Sequence, residues 1–155
     1  MSNESIPAAL KPLLIDATES LEPHQPVILV ADDEVMVRNL VTILMQREGY
    51  LVVAAADGQE ALELSRKYSG KIDLVITDMQ MSRLNGADLC THLLEERPGI
   101  RVLVMSGADI AEIVSANIHM QFLPTPFDGE TITKRVRGIL GLLKIHRRHP
   151  CVPQP

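Results

Sequence analysis

Short apolar runs that stop abruptly at a polar residue constrain this chain more than any other feature. Leu74-Val75-Ile76-Thr77 is rich in β-branched residues and runs straight into Asp78. Val27–Ala31 stops at Asp32-Asp33-Glu34, and Arg101–Met105 stops at Ser106-Gly107. A run this short, apolar at nearly every position, is the pattern of a strand buried on both faces. Strands of that kind belong to parallel sheets covered by helices, and their chemistry sits just beyond their carboxyl ends.

The segments between the runs carry helical spacing. Glu34 to Glu48 places Val37, Leu40, Val41 and Leu44 on one face, and Gly49 stops it. Leu51 to Ala55 reads as a second strand, and Asp57-Gly58 is a turn. Gln59 to Tyr68 is a helix burying Ala61, Leu64, Ser65 and Tyr68, ended by Ser69-Gly70. Ile72 to Thr77 is the third strand, followed by a loop from Met79 to Asn85. Gly86 opens a helix to Glu96 with Leu89, Cys90 and Leu93 inward, broken by Pro98-Gly99. Arg101 to Met105 is the fourth strand, a short helix covers about Ile110 to Ala116, and Gln121 to Pro124 is the fifth strand. After a turn at Thr125-Pro126, Asp128 caps a last helix to about His146 that buries Ile132, Val136, Ile139, Leu140 and Leu143. Repeated strand–helix alternation predicts an α/β fold, a doubly wound five-stranded parallel sheet with helices on both faces. The predicted domain covers residues 26–146. Residues 1–25, interrupted by prolines and mostly acidic, read as a flexible extension, and 147–155 as a tail.

In such a sheet the ends that carry Asp32, Asp33 and Asp78 come together. Carboxylates crowded in one cleft repel, so the cleft calls for a cation. Hard oxygen donors suit Mg²⁺, which takes one or two carboxylates and keeps several waters. The competing reading is that Asp32-Asp33-Glu34 only favours the dipole of the following helix. Asp78 at a second strand end weighs against it.

The ordered set Asp32-Asp33-Glu34, Asp57-Gly58-Gln-Glu-Ala-Leu, Asp78-Met-Gln-Met, Asn85-Gly86, Ser106-Gly107 and Pro126-Phe127 resembles the CheY-like response regulator receiver domain, from about Pro26 to Ile145. The resemblance implies a flavodoxin-like strand order of 2-1-3-4-5. It implies that Asp78 is the phosphoacceptor, attacking the phosphoryl group on a histidine kinase or phosphotransfer protein. It also implies that Asp33, Asp78 and the Gln80 backbone carbonyl ligate Mg²⁺, with Asp32 acting mainly through water. Ser106 matches the hydroxyl that reorients onto the aspartyl phosphate, and Phe122 the aromatic that follows it inward. A downstream protein would read the short helix at 110–116, the fifth strand and the last helix, and a homodimer stays open.

Departures from the family pattern are specific. Thr125 stands where the family has a lysine, so the charge-assisted bond to phosphate, worth ~1.5–3 kcal/mol, is missing. Ser82 stands where a proline follows Met81, which leaves the acceptor loop more freedom. The segment from Ser106 to Phe122 is short for the family. The alternative is therefore a receiver-fold interaction module that works without phosphorylation. A Mg²⁺-dependent phosphatase is less favoured, because such enzymes carry a second acid two residues after the nucleophile and Gln80 is there instead.

Composition removes other classes. A net charge of −5, 3% aromatic residues and no Trp oppose a general nucleic-acid surface. The basic run at 144–149 is short and reads as the solvated end of the last helix. Cys90 and Cys151 lack metal-ligand spacing and read as free thiols in a reducing compartment. No leader pattern and no apolar run long enough for a bilayer are visible, so the cytoplasm is the expected location. No DNA-binding or catalytic output domain fits after the last helix, and no enzymatic turnover beyond self-phosphotransfer and autodephosphorylation is expected.

Overall fold

A computed structural model of the chain describes residues 25–107 and 120–144, with side chains as far as residue 141. Five strands, β1 (Val27–Ala31), β2 (Leu51–Ala55), β3 (Leu74–Asp78), β4 (Arg101–Ser106) and β5 (Met120–Pro124), form one sheet in the order β2-β1-β3-β4-β5. Every pairing is parallel. Four described helices accompany them: α1 (Val35–Arg47), α2 (Gly58–Lys67), α3 (Gly86–Glu96) and α4 (Gly129–Lys144). The predicted fold class and strand order are those observed. The expected extension, the helix at 110–116, the C-terminal tail and the side chain of Leu143 lie outside the described residues.

Alternation along the strands explains the layers. Ile28, Val30, Leu74, Ile76, Leu103 and Met105 face α1 and α4, where they meet Val41, Met45, Ile132, Val136, Ile139 and Leu140. Val27, Leu29, Ala31, Val75, Val102 and Val104 face the other way and meet Ala61, Leu62, Leu89, Cys90 and Leu93 of α2 and α3. Apolar side chains on both faces are why the central strands read as continuous hydrophobic runs.

Two helix faces differ from expectation. Leu40 is 49% exposed, and Met45 holds the buried position instead. At about 100° per residue, Val41 and Met45 fall on one stripe while Leu40 turns toward the helix edge. In α2, Leu62 is buried, whereas Leu64 and Tyr68 pack only partly against the core. The third strand starts two residues later than predicted and includes Asp78, which pairs with Met105. Ahead of it, buried Asp73 accepts a 2.8 Å hydrogen bond from the Val27 backbone N–H and holds the starts of β1 and β3 together. Pro124 lies on the edge strand, where its missing N–H is tolerated.

Candidate functional site at the carboxyl edge of the sheet

β1 and β3 are neighbours, with Ala31 beside Thr77, so the residues that follow each strand emerge side by side. The chain leaves β1 through Asp32, whose N–H donates to the Ala55 carbonyl of β2 at 3.2 Å. One carboxylate oxygen from each of Asp32, Asp33 and Asp78 lies within 4.8 Å of the other two. Asp32 is 3% exposed, Asp78 is half-buried and Asp33 is open to solvent.

Backbone N–H groups orient Asp32 and Asp78. Asp32 Oδ1 accepts from the Glu34 N–H at 2.8 Å, and Arg38 Nη1 donates to the Asp32 carbonyl at 2.9 Å. The Gln80 N–H lies 3.4 Å from Asp78 Oδ1. Burial pushes the Asp32 carboxyl up to about 6, offset in part by the Glu34 N–H and reinforced by the charges of Asp78, Asp33 and Glu34. Burial also raises Asp78, against the N–H groups of Gln80 and Met79 and with the charges of Asp33 and Glu34. Three carboxylate oxygens this close, two of them on groups that burial and mutual repulsion make harder to ionise, are the donor set a hard divalent cation fits.

Glycine makes the close approach of α3 to the end of β3 possible. The start of α3 passes so close to the Asp78 carbonyl oxygen that a Cβ on Gly86 would overlap it. The Gly86 N–H donates to the Met79 carbonyl at 2.9 Å, closing the loop between them. Asn85 caps α3 by accepting from the Asp88 N–H at 2.8 Å.

A cleft of about 720 Å³ opens over these acids. Asp32, Glu34, Asp78, Gln80, Ser106 and Thr125 form its polar lining, and Val37, Leu40, Pro126 and Phe127 its apolar side. No lysine or arginine is among the described residues that line it. Ser106 is buried at the end of β4, and its carbonyl accepts from the Thr125 N–H at 3.1 Å. A Cβ on Gly107 would lie 3.1 Å from Thr125 Oγ1, so the threonine hydroxyl leans over Gly107. The Thr125–Pro126 peptide is cis.

The structure thus brings Asp32, Asp78, Gln80, Ser106 and Thr125 to one cleft, while Asp33 borders a neighbouring, more open one and keeps a carboxylate oxygen within 4.8 Å of Asp32 and Asp78. Phe122 is elsewhere: it is partly buried against the core shared with α2 and α3. The aromatic ring at the cleft is Phe127. Sequence reasoning missed Arg38 and the apolar wall of Val37 and Leu40. The helical spacing of Leu40 predicts a core position, and no local signal separates a core leucine from a cleft leucine.

A model of the response regulator receiver domain matches residues 28–137. The chain is 30% identical over 140 residues to the sensor kinase CckA of Brucella abortus, covering 88% of this chain and 15% of that protein. It is 32% identical over 123 residues to the alkaline phosphatase synthesis transcriptional regulatory protein SphR of Synechococcus elongatus, covering 73% and 48%. Among solved structures it resembles the receiver domain of the hybrid histidine kinase CckA, at 34% identity and a TM-score of 0.60 over 74% of this chain and 98% of that one. It also resembles the chemotaxis response regulator CheY4 of Vibrio cholerae, at 26% identity and a TM-score of 0.68 over 76% and 100%. The chain spans about half or less of the curated relatives it matches and nearly all of the isolated receiver structures. Among the described residues no helix is long and apolar enough to cross a membrane. Strand order, the acids at the ends of β1 and β3 and these likenesses together establish that the chain belongs to the response regulator receiver domain family, the receivers of two-component signalling systems.

Proposed function

We propose that this receiver accepts a phosphoryl group on Asp78 from a phosphohistidine of a sensor kinase or phosphotransfer protein, and signals by binding another protein. The observation that carries this reading is the convergence of Asp32, Asp33 and Asp78 within 4.8 Å at two adjacent strand ends. An Asp78 oxygen attacks phosphorus, the P–N bond breaks, and the imidazole leaves with its electron pair. Asp32, Asp33, Asp78 and the Gln80 carbonyl would hold Mg²⁺, which neutralises the phosphoryl oxygens. Ser106 and the Gln80 N–H would donate to the new acyl phosphate, and Thr125 offers a hydroxyl in place of a charge. The downstream partner would read β5 and α4 together with residues 110–116.

Acetyl phosphate with Mg²⁺ tests the acceptor, read by intact mass. The chain gains one phosphoryl group and Asp78→Asn gains none; equal uptake by both would overturn the assignment. A second reading, an interaction module that works without phosphate, is favoured by the absence of any lysine or arginine among the described residues lining the cleft. No uptake at saturating acetyl phosphate, with partner binding unchanged in Asp78→Asn, would select it.

A further inference from the structure

The loop at 79–85 carries the Gln80 carbonyl, and it is held from outside the acidic cluster by α2. Arg83 has φ 68°, a region few residues other than glycine adopt. From there its guanidinium reaches Asp57 Oδ2, with Nε at 2.9 Å and Nη2 at 2.8 Å. The other oxygen, Asp57 Oδ1, caps α2 by accepting from the Glu60 N–H at 2.8 Å. Burial acts to raise the Asp57 carboxyl, but the Glu60 N–H and Arg83 outweigh it and keep it low and charged.

The adjacent residues add an independent contact. The Leu84 carbonyl packs so closely on Gly58 that a Cβ there would overlap it. An ion pair between 57 and 83 and a backbone contact between 58 and 84 therefore seat the far half of the loop on the first turn of α2. The near half is tied by the Gly86 N–H to the Met79 carbonyl. Ser82 leaves the backbone between these anchors without a proline's restriction.

We infer that Arg83 is a positioning residue: paired with Asp57, it seats the acceptor loop on the N-terminus of α2 and so sets where the Gln80 carbonyl stands at the carboxylate cluster. This inference rests on the proposed reading that the cluster and that carbonyl hold a divalent cation. Arg83 is 60% exposed, so the pair contributes little to global stability and its effect is concentrated in the loop.

The test uses the full chain, with Mg²⁺ titrated calorimetrically and amide hydrogen exchange across 79–86 followed without metal. Asp57→Asn keeps a good N-cap while removing the charge. Arg66→Ala, which breaks the exposed Arg66–Glu96 pair elsewhere on α2, is the control. Arg83→Ala and Asp57→Asn should each weaken Mg²⁺ binding about two- to fivefold and speed exchange across the loop. The double variant should be no worse than either single one, as expected of partners in one interaction. Arg83→Lys should recover part of the loss, and thermal midpoints should stay close to that of Arg66→Ala. Wild-type affinity or wild-type loop exchange in Arg83→Ala overturns the inference. If the unmodified chain binds no Mg²⁺, the cation reading falls instead, and loop exchange alone decides whether Arg83 seats the loop.

Discussion

At the scale of single residues, Asp32 carries the largest electrostatic cost in the site. It is nearly fully buried, faces two other carboxylates, and has its carboxyl pushed up to about 6. The folded state therefore binds a proton more tightly than the unfolded chain, where an aspartate titrates near 3.9. Between those values the folded protein holds more protons, so metal-free stability rises as pH falls through 6 and is lower above it. Asp32→Asn should reduce that dependence, leaving the part that the raised Asp78 carboxyl carries, and stabilise the metal-free protein at pH 7 by on the order of 1–2 kcal/mol, while weakening Mg²⁺ binding. Thermal melts from pH 5 to 7.5 with and without Mg²⁺ check both signs. Wild-type melts that fall toward pH 5 without metal would show that the acid cluster carries no such strain.

At the scale of elements, helix ends do much of the positioning. Arg97, the C-cap of α3, donates to the Ser65 and Tyr68 carbonyls at 2.7 and 2.6 Å, to the Gly70 carbonyl at 2.8 Å and to Ser65 Oγ at 2.9 Å. One side chain thereby satisfies the end of α2 and locks it to α3. Arg97→Ala should cost about 1.5–3 kcal/mol, the range for charged hydrogen bonds, read as a lower urea midpoint with Asp78 phosphorylation retained. Gly86 acts at the opposite end of α3. Gly86→Ala places a methyl group against the Asp78 carbonyl, so the helix start must move away from the end of β3. Phosphoryl uptake should fall at least about tenfold, as expected when a small misplacement disturbs in-line geometry, and a wild-type rate would mean that α3 does not set the acceptor's position.

At the scale of the whole molecule, the proposed phosphorylation of Asp78 would have to act on the far edge of the sheet through β4 and β5. β4 and β5 are joined in register at Ser106 and Pro124, and the Ser106 carbonyl holds the Thr125 N–H. From β5 the path continues through the Phe122 carbonyl, which accepts from Arg135 of α4 at 3.3 Å. Each link is present, but residue 125 contributes no charge to pull on a phosphoryl group. Amide NMR shifts on adding beryllofluoride should therefore be small across β5 and α4, and Thr125→Lys should enlarge them. Large shifts in the unmodified chain, with nothing added by Thr125→Lys, would show that the missing lysine does not limit the coupling.

The sheet and most of the acidic cluster were legible in the sequence for a local reason. Period, branching and run length are properties of neighbouring residues, so Leu74–Thr77 announces a buried strand and Asp78 a strand end without knowledge of what packs nearby. Asp57-Gly58 was readable on the same grounds as a turn, and Gly86 as the start of a helix. What the sequence did not carry lies between residues far apart along the chain. Arg83 meets Asp57 across 26 positions, and Val27 meets Asp73 across 46, and neither pairing has a local pattern. Leu40 and Val41 both fit an apolar helical face, and only the sheet beneath α1 decides that Val41 and Met45 are buried while Leu40 borders the cleft. Phe122 matches the switch aromatic only by resemblance, and the alternation of an edge strand and the core it faces decide where its ring packs. The sequence by itself determined the elements and the residues at their ends; tertiary structure alone decided which side chains meet, because side-chain partners are chosen by the packing of one element on another.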